Sequence, residues 1–183
     1  MARLRALERQ DLPTEGQKVY DEITKTRGYI VNNYKTLLHS PEGAGRFAHL
    51  GHYLRALSPV ERRLREVGIL AGAKAVESEY VWSAHEPLAR DAGVADQVIK
   101  SIENGVLPDS SFAEEAAIVD YAWQMLKKHK VEDETFEAVR SRLGDSGTVD
   151  LTLLINYYVS LALAIAALDI PLPEGFDPLI GPS

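Results

Sequence analysis

Residues 151–168 limit what this chain can become: as a helix the stretch is apolar on most of its sides, so it has to be buried, in lipid or in protein. It is nearly long enough to cross a bilayer. Thr152, Asn156, Tyr157, Tyr158 and Ser160 fall in one half of it, however, and Asp150 and Asp169 bound it where basic anchors would stand. The stretch therefore reads as a core or subunit-interface helix, not as a membrane span. Residues 1–11 are charged throughout and hold no apolar signal-peptide core. A cytoplasmic protein with no membrane partner is expected.

Around that helix, helix starts and stops recur while strand alternation hardly occurs. Thr14, with Gln17 three residues later, has the pattern of a capping box opening a helix to about Gly28. Residues 29–40 read as a loop or short helical turn with Asn32 and Asn33 as breakers. A helix over 41–56 presents Phe47, Leu50 and Leu54 at helical spacing. Ser58-Pro59-Val60-Glu61 is the clearest start signal: a serine to cap, a proline for the first helical position, a glutamate to reach back. The helix it opens runs to about residue 77. It carries no charge from Val67 to Ala73, and Gly68 and Gly72 permit close approach of another helix. Helices at 78–91 and 96–103 end at Gly93 and Gly105, one at 111–128 opens on Ser111 and Glu114, and one at 133–143 stops at Gly144. The proline-rich residues 171–183 read as an extended arm. The fold expected is an all-α multi-helix bundle, one domain over 1–183 with its core at about 40–130.

A net charge of -7 argues against a nucleic-acid partner, because phosphate binding needs a clustered basic surface. The densest basic run, Arg62, Arg63 and Arg65, is interleaved with Glu61 and Glu66 and reads as a paired helix surface. There is no cysteine, which excludes disulfides, thiolate metal ligands and thiol mechanisms.

The chemistry-bearing residues lie at 65–89. His85 shares a helical face with Ser78, Val81 and Trp82, at spacings of seven, four and three. Among such neighbours it is a candidate acid or base. Glu66 sits where its helix passes from charged to wholly apolar, so an inward-facing carboxyl there would exchange protons with a neighbour. Two plainer readings stand beside this one: a lone helical histidine is commonly structural, and Glu66 could pair with Arg62 one turn earlier. His85-Glu86 begins like a zinc-protease motif, but Ala89 stands where the second histidine belongs. His49 and His52 are one turn apart without an identifiable third ligand, so no metal and no cofactor is expected.

The pattern R-E-x-x-I-L at 65–70, followed by E-Y-x-x-x-A-H-x-x-x-A-x-x-x-G at 79–93, resembles the signature of the carboxymuconolactone decarboxylase and alkylhydroperoxidase superfamily. Leu38-His39-Ser40-Pro41, Leu57-Ser58-Pro59 and the late Asn156-Tyr157-Tyr158 resemble its longer members, so the likeness covers most of the chain. The resemblance implies an alkylhydroperoxidase-like bundle that assembles as a trimer or hexamer, with Glu66 and His85 as the ends of a proton relay. It also places Ser78 and Val81 where the peroxidase branch carries its two cysteines, so reduction through a disulfide is closed. In the decarboxylase branch an acidic residue stands at the position of Val81, and Glu79 projects to the opposite side of the helix. The resemblance implies, as the first reading, acid–base chemistry such as decarboxylation or isomerisation of a small cyclic carboxylic acid. His85 and Glu66 would be catalytic, and Ser78, Tyr80, Trp82 and Tyr157 would bind the substrate. A peroxidase-family member without a dithiol, or a non-catalytic binding module, are the alternatives.

Overall fold

The computed structural model describes residues 2–173, and the expected arm from 174 onward lies outside the described residues. Eight α-helices follow one another: α1 (Thr14–Arg27), α2 (Asn32–Leu37), α3 (Pro41–His52), α4 (Arg62–Ala75), α5 (Glu79–Asp91), α6 (Asp96–Glu103), α7 (Ala113–Trp123) and α8 (Asp133–Leu168). No strand occurs among the described residues. α3 and α7 each run on into a wider π-type turn, at Tyr53–Leu57 and Gln124–Lys128.

Several helix starts differ from the expected ones, each for a local reason. Asn32 and Asn33 do not break the chain but open α2, where the Asn33 side-chain oxygen accepts from the Tyr34 amide at 2.6 Å. Ser58 does not cap α4: its hydroxyl accepts from the Val60 amide at 3.3 Å, forming a turn, and Glu61 takes the cap position before Arg62. Glu114 does not reach back toward Ser111, because Arg63 and Arg142 hold its carboxylate. Gln17 likewise donates to the Leu12 carbonyl at 2.9 Å instead of completing a box with Thr14. At Gly144 a φ of 67° and ψ of 177° break the helix, as expected, but the helix resumes at once, so 133–168 is one kinked element.

α4 is the centre of the bundle. It packs against α5, α6, α7 and α8, and every residue from Glu66 to Ala73 is buried. Its glycines receive α8: a β-carbon at Gly68 would lie 3.0 Å from Leu151, and one at Gly72 would lie 3.3 Å from Ile155. The small-residue stretch of α4 and the apolar stretch of α8 are thus each other's partners within one chain. The main core extends past residue 130, through Leu151, Leu154, Ile155 and Leu161 of α8. Burying each such side chain contributes about 1.5–3 kcal/mol. α8 is apolar and long enough to cross a membrane by composition alone, yet 50% of its most apolar window is buried inside the fold.

α1, α2 and α3 form a separate layer with small cores of their own, around Leu12, Leu38 and Ala44 and around Ile23, Tyr34 and Ala48. Tyr157 of α8 ties this layer to the bundle. Its ring stacks on Phe47 at 4.3 Å between centroids, and its hydroxyl shares a short hydrogen bond with that of Tyr34. Gly51 makes room for that ring, because a β-carbon there would fall inside the Tyr157 ring and hydroxyl.

Candidate functional site

The connection between α4 and α5 is only a few residues long, so the chain turns straight back on itself. Ser78 closes the turn as the N-cap of α5, accepting from the Val81 amide at 3.4 Å. This brings His85 over Glu66, with Nδ1 of the imidazole 2.8 Å from Oε2 of the carboxylate. Glu66 is 5% exposed and His85 8%, so water competes little for the contact. Glu66 does not pair with Arg62, which instead reaches Asp91 at 2.7 Å. With Nδ1 engaged by the carboxyl, Nε2 is the nitrogen left for a bound molecule. The ring of Tyr158 meets the imidazole edge-on at 4.5 Å between centroids and holds its plane.

Both residues line a cavity of about 620 Å³, within the range of small-molecule sites. Its apolar side comes from Val31, Val81, Leu88 and Leu161, and its aromatic side from Tyr34, Tyr80 and Tyr158. Tyr80 is anchored by donating to Asn32, whose side-chain amide in turn donates to the Pro171 carbonyl at 2.6 Å. Burial pushes the phenols of Tyr80 and Tyr158 up to about 12, so both are neutral hydrogen-bond donors at ordinary pH. The charged lining is lopsided: among the described residues, Arg27, Arg55, Arg62 and Arg65 face the space, with Glu66 as the one carboxylate. Burial lowers the Arg65 guanidinium from its ordinary value, against the pull of Glu66.

Of the residues expected at the site, Glu66, His85 and Tyr80 meet at this cavity. Three others do not line it. Ser78 is spent on capping α5. Trp82 points from the far side of α5 into the main core, at 1% exposure. Tyr157 faces the N-terminal layer, and its neighbour Tyr158 takes the place at the imidazole. Glu79 does not line the cavity either, while Val81 presents its apolar side chain there. Sequence reasoning missed Tyr158, Arg55 and Arg65. Arg65 had been read as a paired surface charge, and only the roughly 100° turn between neighbouring helical residues separates Tyr158 from Tyr157.

No protein-family model matches the chain, and no curated protein matches it. Solved structures do. The chain is similar to the alkylhydroperoxidase AhpD core of an uncharacterized peroxidase-related protein from Ralstonia eutropha JMP134. Identity is 20% over 96% of this chain and 94% of that one, with a TM-score of 0.77. An uncharacterized peroxidase-related protein from Silicibacter sp. TM1040 aligns at 19% identity over 94% and 93% of the two chains, with a TM-score of 0.74. A variant of the debrominase Bmp8 in complex with 2,3,4-tribromopyrrole aligns at 17% identity over 93% and 91%, with a TM-score of 0.75. The all-α fold is therefore that of the alkylhydroperoxidase-like proteins, as the sequence motif implied.

Proposed function

We propose that this protein is an acid–base enzyme of the carboxymuconolactone decarboxylase type, in which the Glu66–His85 pair moves a proton on a small cyclic carboxylic acid. The observation that carries the reading is the buried 2.8 Å hydrogen bond between Glu66 and Nδ1 of His85 at the wall of the cavity. In a decarboxylation, the electrons of the breaking C–C bond stay on the ring carbon as CO₂ leaves. Nε2–H of a protonated His85 then delivers the proton that neutralises the carbanion, and water restores it. In an isomerisation, the same nitrogen removes a proton from one carbon and returns it to another. Glu66 keeps the imidazole oriented and stabilises its charged form, and such positioned acid–base catalysis is worth about 10²–10⁴-fold.

Reduction of peroxide through a dithiol has no chemical means here, because the chain contains no cysteine. The tribromopyrrole bound to Bmp8 supports a small ring as the kind of molecule this fold accommodates.

The experiment is a turnover screen over small cyclic carboxylic acids, following CO₂ release and the proton spectrum of the product. His85→Ala abolishes turnover of any acid that reacts while the folded assembly stays intact; undiminished turnover in that variant refutes the assignment. Peroxide consumption with an added thiol should not exceed a buffer blank.

A further inference from the structure

We infer that Arg55 and Arg65 form a carboxylate-binding subsite that orients an anionic small molecule toward Nε2 of His85. This inference deepens the function proposed above, and rests on it for the role of His85. It begins from a charge imbalance: among the described residues, a chain of net charge -7 places four arginines and one carboxylate around one cavity. Most arginines elsewhere are matched to carboxylates, as Arg63 is to Glu114, Arg90 to Glu86 and Arg140 to Asp145, while Arg3 donates to the Ala167 carbonyl. Two of the four cavity arginines are also engaged. Arg62 is held by Asp91, and Arg27 donates to the Tyr34 hydroxyl at 2.8 Å while lying over that ring at 4.4 Å.

Arg55 and Arg65 differ. Neither has a described carboxylate within ion-pair distance, and Arg65 makes only a long 3.4 Å hydrogen bond to the Leu54 carbonyl. They come from different elements, Arg55 from the π turn after α3 and Arg65 from α4 directly before Glu66. Both are half-buried and both line the same space. Keeping two unpaired guanidinium groups partly out of water is costly, and repulsion between them adds to the cost. An anion between them removes both penalties. A guanidinium presents two parallel N–H donors, which match the two oxygens of a carboxylate. With Tyr158 as a neutral phenol beside Arg55, and apolar Val81 and Leu88 on the remaining sides, the cavity fits a carboxylate attached to a small ring.

The test uses benzoate as the probe, benzamide as its uncharged counterpart, and inorganic phosphate as a competing anion, with binding followed by calorimetry and ligand-observed NMR. Wild-type protein binds benzoate about tenfold or more tighter than benzamide, and added salt narrows the gap. Arg55→Gln combined with Arg65→Gln abolishes the preference, and Arg55→Lys with Arg65→Lys restores part of it. The lysine variant also shows that the fold survives change at these positions. His85→Gln keeps the benzoate preference, so binding is read independently of proton transfer. Equal binding of benzoate and benzamide by the wild type, binding of neither, a preference that survives the double glutamine variant, or displacement of benzoate by phosphate at equal concentration would each overturn the subsite. If the arginine variants lose benzoate but no acid is ever turned over, the subsite stands and the proposed reaction falls.

Discussion

Replacing Glu66 by Leu, His85 by Phe, and then both together measures what the buried pair contributes to the fold. Each replacement keeps approximate shape and removes one polar partner. In the Glu66→Leu protein, Nδ1 of His85 loses its acceptor in a place where the residue is only 8% exposed. In the His85→Phe protein, the Glu66 carboxyl is left unpaired at 5% exposure, while the new ring keeps an edge-on neighbour in Tyr158. A buried polar group stripped of its partner costs about 1–3 kcal/mol, and replacing both partners with apolar groups is close to neutral. The double variant is therefore expected to be more stable than the sum of the single losses predicts, by about 1–3 kcal/mol. For a chain of this size that non-additivity corresponds to about 2–4 °C of Tm for each kcal/mol. Urea unfolding followed by circular dichroism on all four proteins supplies the cycle. Strict additivity, with an interaction energy below about 0.3 kcal/mol, would mean that cavity water satisfies each group alone and that the pair is not held as a unit.

Two further outcomes follow from the packing and from the tyrosines. Gly51→Ala should destabilise the protein by about 1–3 kcal/mol, because the added methyl group meets a Tyr157 ring already fixed by Phe47 and Tyr34; a denaturation midpoint within error of wild type refutes that packing. Stability should also fall in alkali. Tyr80 and Tyr158 ionise at about 12 in the folded protein against 10.0 ordinarily, so the stability they confer is complete below pH 10.0 and is lost as pH rises toward 12. Tyr158→Phe removes one contribution and should flatten the decline in urea midpoint over that window; an unchanged slope counts against a buried phenol at this position.

The helical character of the chain was legible because it rests on local features, whereas the meeting of Glu66 with His85 was not, because it depends on how α4 packs against α5. Helix stops such as Gly28, Gly93 and Gly105 have positive φ angles that glycine tolerates, and each ends its helix where expected. Glu66 stood out because its helix passes there from charged to wholly apolar, and His85 because it shares a helical face with Val81 and Trp82 and falls within the motif at 79–93. Helix starts were less legible, since the same Ser or Glu can cap a helix, close a turn or pair with a distant arginine. Ser58 and Glu114 took the second and third routes. The walls of the cavity were least legible. Which of Tyr157 and Tyr158 faces His85 depends on the roll of α8 about its axis, and that roll is set by Leu151 and Ile155 seating against Gly68 and Gly72. Arg65 looked like one charge in a paired row because its neighbours are paired, Arg62 with Asp91 and Arg63 with Glu114.

The separate N-terminal layer divides the labour of the molecule along the chain. Glu66 and His85 ride on one helical hairpin whose support is the main core, whereas Arg27, Tyr29, Val31, Asn33 and Tyr34 enclose the cavity from residues whose packing belongs to another, smaller core. Exchanging residues 26–34 between two such chains would change that wall of the cavity and leave Glu66, His85, Arg55 and Arg65 in place. Removing the layer altogether would leave the hydrogen-bonded Glu66–His85 pair beside an open groove. The wall built from residues 26–34 and the Glu66–His85 pair thus lie in different stretches of sequence, and either can change while the other is held.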